Sequence, residues 1–225
     1  MSNSSLVNYT KISPYKNVMS NKVNKKITIH HMAGNLSVEV CGNVFQSSNS
    51  SANYGVASDG RVGLYVEEKD RSWASSSYEN DSQAVTIEVA NDICGGDWHV
   101  SDKALAKTID LCVDICKRNN IAKLNWTGDK SGNLTCHYMF ASTACPGPYL
   151  KSKMSYIANE VNKRLSGGSA PAPAPAPSAP TTITIAKPIL RNGSTGTEVK
   201  NLQNSCFRES LTLHPEFSKV AILKR

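Results

Sequence analysis

Lys26-Ile27-Thr28-Ile29-His30-His31-Met32-Ala33-Gly34 is a β-branched, apolar run that closes on two histidines and a small pair. Residues 26–32 read as a buried strand. Successive side chains on a strand point to opposite faces. His31 therefore shares a side with Ile27 and Ile29, while His30 shares the other with Thr28, and only one of the two histidines can look into a site on a given face.

Working outward, strand and helix patterns alternate through the first 165 residues. Ser37 is placed to cap a short helix on which Val38, Cys41 and Phe45 share a face. Residues 54–57 and 61–66 flank Ser58-Asp59-Gly60, a hairpin turn signal. Residues 84–90 (AVTIEVA) read as another strand. Ser101 caps a longer helix reaching about Asn119, with Asp102 at its positive end and Leu105, Ile109, Cys112 and Cys116 as the inner stripe. Leu150, Met154, Ile157, Val161 and Leu165 repeat at helical spacing over residues 149–165. The expectation is an α/β domain with a mixed central β-sheet flanked by about three helices.

The 225 residues carry a net charge of +7 and seven cysteines, with 40% hydrophobic residues. That content excludes a wholly disordered chain, and no apolar run approaches the ~20 residues of a membrane span. The first residues, MSNSSLVNYTKISPYKN, lack the apolar core of a signal peptide, so synthesis in the cytoplasm without export by that route is expected. No CxxC pair occurs, which argues against a zinc ribbon, and most of the thiols are expected to be free and buried. A basic balance suits any polyanion. However, residues 1–165 hold 18 basic against 15 acidic side chains with no basic stripe interleaved with aromatics, so nucleic acid is not an expected partner.

Residues 166–182 (SGGSAPAPAPAPSAPTT) hold five of the ten prolines and read as a semi-rigid extended linker. They separate a domain at 1–165 from residues 183–225.

Chemistry concentrates before the last helix. Cys145 precedes Pro-Gly-Pro, backbone in which a thiolate can be aimed outside a helix face. Together with His137 and one of His30 or His31 it offers three nitrogen and sulfur ligands, the number that leaves zinc an open position. Glu88 interrupts an otherwise apolar strand, where a charge needs a partner: a nearby metal cation, a lysine, or a backbone gap that it caps.

Five ordered blocks carry a family resemblance: Ile27 through Gly34, Ser51-Ala52-Asn53-Tyr54, Ser58-Asp59-Gly60, Ile87-Glu88-Val89, and His137 spaced to Cys145-Pro146-Gly147. The chain resembles the zinc N-acetylmuramoyl-L-alanine amidases, whose fold is shared by peptidoglycan recognition proteins and many phage endolysins. The resemblance implies Zn2+ held by His30, His137 and Cys145, with His31 in support. It implies Glu88 as general base and acid, and Thr143 as an uncharged hydrogen-bond donor to the oxyanion where some members carry lysine. Tyr54 receives no catalytic role, because the position aligned with a catalytic tyrosine of another branch is Ala52. Asn53 and Trp73 are candidates for gripping the sugar or stem peptide; core packing is the alternative reading for Trp73 and for Trp126.

The expected partner is bacterial peptidoglycan, with anionic wall polymers as a further one, acted on by a monomer after release at lysis. A non-catalytic peptidoglycan-recognition protein is the alternative. Residues 190–203 resemble the opening of a small helical peptidoglycan-binding module whose second half is missing. A truncated or degenerate module is expected over 183–225, with at least about its last 20 residues poorly ordered.

Overall fold

Ile27, Ile29, Val85 and Ile87 are all fully buried, and they come from two parallel strands in register, Ile27 opposite Val85 and Ile29 opposite Ile87. The computed structural model describes residues 2–167. The tail, and the linker beyond residue 167, lie outside the described residues. The two strands, β3 (Lys26–His31) and β7 (Ala84–Val89), are neighbours inside a six-stranded sheet. β4 (Tyr54–Val56) runs parallel to β7 on one side, and β8 (Leu134–Cys136) parallel to β3 on the other. β5 (Val62–Leu64) returns antiparallel to β4 around the Ser58-Asp59-Gly60 turn, and β1 (Tyr9–Thr10) caps its edge in parallel. The sheet is mixed, as the sequence predicts. A separate ribbon pairs β2 (Lys16–Asn17) with β6 (Arg71–Ser72).

One face is closed by two long helices. In α3 (Asp102–Arg118), Leu105, Ile109, Cys112 and Cys116 are buried; in α4 (Gly147–Leu165), Leu150, Met154, Ile157 and Val161 are buried. These stripes meet the sheet isoleucines and valines in one core, where each fully buried aliphatic stabilises the fold by about 1.5–3 kcal/mol. Ser101 caps α3 by accepting a hydrogen bond from the Ala104 amide.

Alternation sends Thr28, His30, Thr86 and Glu88 to the opposite face. The short helices α1 (Val38–Val44) and α2 (Tyr78–Asp81) belong to this side. Asn80 of α2 donates to the Thr28 hydroxyl. Cys41 and Phe45 pack beside the Tyr65 ring, which lies where a side chain on Gly55 or Gly63 would sit.

The first residues are stitched down. The Ser4 amide donates to the Tyr54 hydroxyl, which donates to Glu68 at 2.6 Å. Arg118 also donates to Glu68, at 2.6 Å, and to the Ser2 carbonyl. Asn3 accepts from the Glu68 amide. Tyr54 is thus a buried structural residue.

Candidate active site

Sheet register fixes the first two members of the site. His30 is the Cα partner of Glu88 across β3 and β7, and its Nδ1 lies 3.9 Å from Glu88 Oε1. β8 then delivers His137 at the start of a single 3-10 turn, His137–Met139. The chain loops back so that the Tyr138 amide donates to the Cys145 carbonyl. That hydrogen bond ties the His137 and Cys145 segments together. The result is a cluster in which one donor atom each of His30, His137 and Cys145 lies within 4.8 Å of the others, all three residues buried.

The geometry separates the two adjacent histidines. His30 joins the cluster, its ring 4.8 Å from that of His137. His31 turns to the helix-covered face, where its ring meets Trp98 edge-on at 5.2 Å. Its backbone amide nevertheless reaches Cys145, donating to Sγ at 3.4 Å.

The residues fit a zinc ion. Two nitrogens and one sulfur converging in a buried setting are the donor set zinc prefers, and tetrahedral bonds of about 2.0–2.3 Å would bring them closer by about 1.5 Å at most. Burial and the Glu88 charge hold the Cys145 thiol well above its ordinary pKa, against a lowering by the His31 amide. A thiol in such surroundings ionises readily for a cation that binds it. The Glu88 side chain is 17% exposed, and its Oε2 has no hydrogen-bond partner among the described residues. Burial pushes this carboxyl up to about 8, so it holds protons far more tightly than an ordinary glutamate.

Thr143 stands two residues before the cysteine, half-buried. Its hydroxyl oxygen accepts from the Cys145 amide at 3.2 Å, which leaves the hydroxyl proton to donate elsewhere.

One expectation changes. Asn53 does not reach out to sugar or peptide: it is fully buried, and its amide donates to the carbonyls of Val66 and Glu67 while its oxygen accepts from the Thr86 amide. A side chain whose donors and acceptor are spent inside the sheet is a bracket between strands. Trp73 is half-buried beside the β2–β6 ribbon, with its indole N–H donating to Asn17 and its ring 5.8 Å from Tyr15. Trp126 packs against the main core. No helix among the described residues is long and apolar enough to cross a membrane.

A family model described as N-acetylmuramoyl-L-alanine amidase matches residues 20–148, more than half of the chain. The chain belongs to this family of amidases. Its activity is hydrolysis of the amide that joins N-acetylmuramic acid to L-alanine in peptidoglycan. Among solved structures, the amidase is similar to PlyL at 16% identity and a TM-score of 0.55, over 69% of this chain and 96% of that one. It is similar to the Staphylococcus aureus hydrolase AmiA, solved with its ligand, at 18% identity and 0.55, over 76% and 90%. A mutant endolysin from Bacillus subtilis matches at 18% and 0.53, over 69% and 99%. At such identities the likeness establishes the fold alone. No curated protein sequence matches the amidase.

Proposed function

We propose that the amidase works as an endolysin-like zinc hydrolase in which His30, His137 and Cys145 hold the metal, Glu88 moves the proton and Thr143 steadies the oxyanion. The observation that carries this reading is the convergence of the three buried donors with an underused carboxylate of raised proton affinity 3.9 Å from one of them.

Zinc bound there would supply Lewis acidity, polarising the lactyl carbonyl and making water acidic enough to attack near neutral pH. Glu88 takes the proton of the attacking water and delivers it to the departing nitrogen of L-alanine. Its place beside His30 lets one carboxylate reach both the water and the leaving group. As the carbonyl carbon becomes tetrahedral, the Thr143 hydroxyl donates to the developing oxyanion. His31 takes no proton and serves through its backbone amide, which donates to the cysteine ligand.

Residues 166–182 are read as a linker carrying a degenerate peptidoglycan-binding module at 183–225. The basic excess there, seven basic against three acidic side chains over 166–225, suits the anionic polymers of a wall. Likeness to endolysin folds supports a protein kept in the cytoplasm until lysis and then acting on the wall as a monomer.

Digestion of purified walls by the zinc-loaded protein tests the reading. New N-terminal alanine without new reducing sugar ends is expected. Full activity in Cys145→Ser, or none from the zinc-loaded parent on several wall types, would overturn it.

A further inference from the structure

Residues 91–100 connect β7 to α3 and hold a feature that the reaction has not yet used. Trp98 has φ +57°, a left-handed conformation that residues with a large side chain rarely adopt and that persists only where the surroundings over-determine it. Here they do. The Trp98 amide donates to the Gly95 carbonyl. The Trp98 carbonyl accepts from the fully buried Asn91 side chain at 2.7 Å, while the Asn91 amide donates to Gly34, just beyond β3. Asp97 accepts from the Tyr149 amide at the start of α4, and the His99 ring lies 4.4 Å from that of Tyr149.

What this bracing holds in place is a buried Trp98, 6% exposed, packed against two segments that carry metal ligands. On one side is the His31 ring, met edge-on; His31 follows His30 directly, and its amide donates to Cys145 Sγ. On the other is Gly147, two residues after Cys145. A Cβ on Gly147 would lie 3.1 Å from Trp98 Cβ and 3.2 Å from His31 Nδ1. His31, Trp98 and Gly147 therefore form one tight stack. Any widening of it moves the strand end bearing His30 away from the turn bearing Cys145.

We infer that Trp98 is a positioning residue of the metal centre, fixing the separation of His30 and Cys145 by wedging His31 against the Gly147 turn. The inference rests on the zinc site proposed above. A residue that packs only for stability would lower the melting temperature and leave the bound metal unaltered. A positioning residue changes the metal's own properties, and outer contacts of this kind alter metal affinity by about 10–100-fold.

Full-length Trp98→Gly, Trp98→Leu and Trp98→Phe would be compared with the parent by zinc competition against a chromophoric chelator, and by the thiolate-to-cobalt charge-transfer band of the cobalt-substituted proteins. Glycine suits the left-handed backbone and removes the wedge, so Trp98→Gly is expected to fold, bind zinc about 10–100-fold more weakly and shift the cobalt band. Trp98→Phe, which keeps a ring edge against His31, is expected to recover most of both. Parent-like zinc affinity and cobalt band in Trp98→Gly would overturn the inference. Should Trp98→Gly not fold, Trp98→Leu decides on the same two readouts, and loss of the fold in both would mark Trp98 as merely structural. A parent protein that binds no zinc, or binds it equally well as Cys145→Ser, would instead refute the underlying metal site.

Discussion

His30 and Glu88 are register partners on adjacent parallel strands, with imidazole and carboxylate 3.9 Å apart on the face that the long helices leave uncovered. Strand pairing sets this relationship, so the separation of the proposed base and the proposed ligand is as rigid as the sheet. A slip of one residue would put Ile87 or Val89 in the place of Glu88 and turn the carboxylate into the apolar core.

Glu88→Gln keeps the size and polarity of the side chain and removes its ability to take a proton. The turnover number should fall by about 10²–10⁴-fold, with zinc content by elemental analysis equal to that of the parent. Near-parental turnover would remove Glu88 from the chemistry.

Chelation should abolish wall hydrolysis, and stoichiometric zinc should restore it. Thermal unfolding reports the same binding independently. Zinc at about 100 times its dissociation constant should add about 2.7 kcal/mol to stability, and Cys145→Ser should lose most of that increment. An unfolding temperature insensitive to zinc would contradict the site.

Thr143→Ala removes both the hydroxyl donor and the acceptor of the Cys145 amide. A loss of about 10²-fold in turnover, with little change in KM, is expected for one oxyanion donor. Thr143→Ser should recover most of it. If serine fails to rescue, the methyl group rather than the hydroxyl is what matters.

Asn53→Ala leaves the carbonyls of Val66 and Glu67 and the amide of Thr86 without their partner. Urea denaturation should show a loss of about 2–3 kcal/mol, while KM for wall fragments stays unchanged in the folded fraction. A raised KM at unchanged stability would reinstate Asn53 as a substrate contact.

Stability should fall steeply in alkali. Burial raises the pKa of Cys41 and Cys112, pushes Cys116 and Cys136 up to about 12, and raises Tyr54 and Tyr65. The unfolded chain ionises these thiols and phenols from about pH 8.5–10 while the folded one keeps its protons, so their contribution is complete below that range and lost as pH rises. Each displaced group steepens the fall by about 1.4 kcal/mol per pH unit. Lys22 opposes the trend: burial lowers its pKa to about 8, so between there and its ordinary 10.5 the unfolded chain binds the extra proton and stability gains with pH. Denaturant midpoints from pH 8 to 11 should therefore be nearly level at first and then drop. A midpoint that keeps rising past pH 10 would mean that the thiols are not buried.

The long elements were legible because their burial is periodic: Leu105, Ile109, Cys112 and Cys116 announce one face of α3, and Ile27 and Ile29 one face of β3. Strands of two or three residues such as β1, β2, β6 and β8 were not, since they are too short to show alternation and exist through backbone pairing. His30, His137, Cys145 and Glu88 were found through family resemblance, and the structure brings them together. Asn53 was misread because a polar residue beside a strand looks the same in sequence whether its amide faces water or two carbonyls. Trp98 went unnoticed because its signal is a backbone angle set by Asn91 and Tyr149, which no local pattern reveals.

The match to the family model begins at residue 20, yet Tyr54, Glu68 and Arg118 take partners from Ser4, Asn3 and Ser2 respectively. The stretch that the family model matches thus starts inside the folded unit. Removing the first 19 residues would expose the β5 edge that β1 covers and strip Tyr54, Glu68 and Arg118 of the partners that Ser4, Asn3 and Ser2 supply, so a shortened domain should begin at the first residues and not at the family boundary.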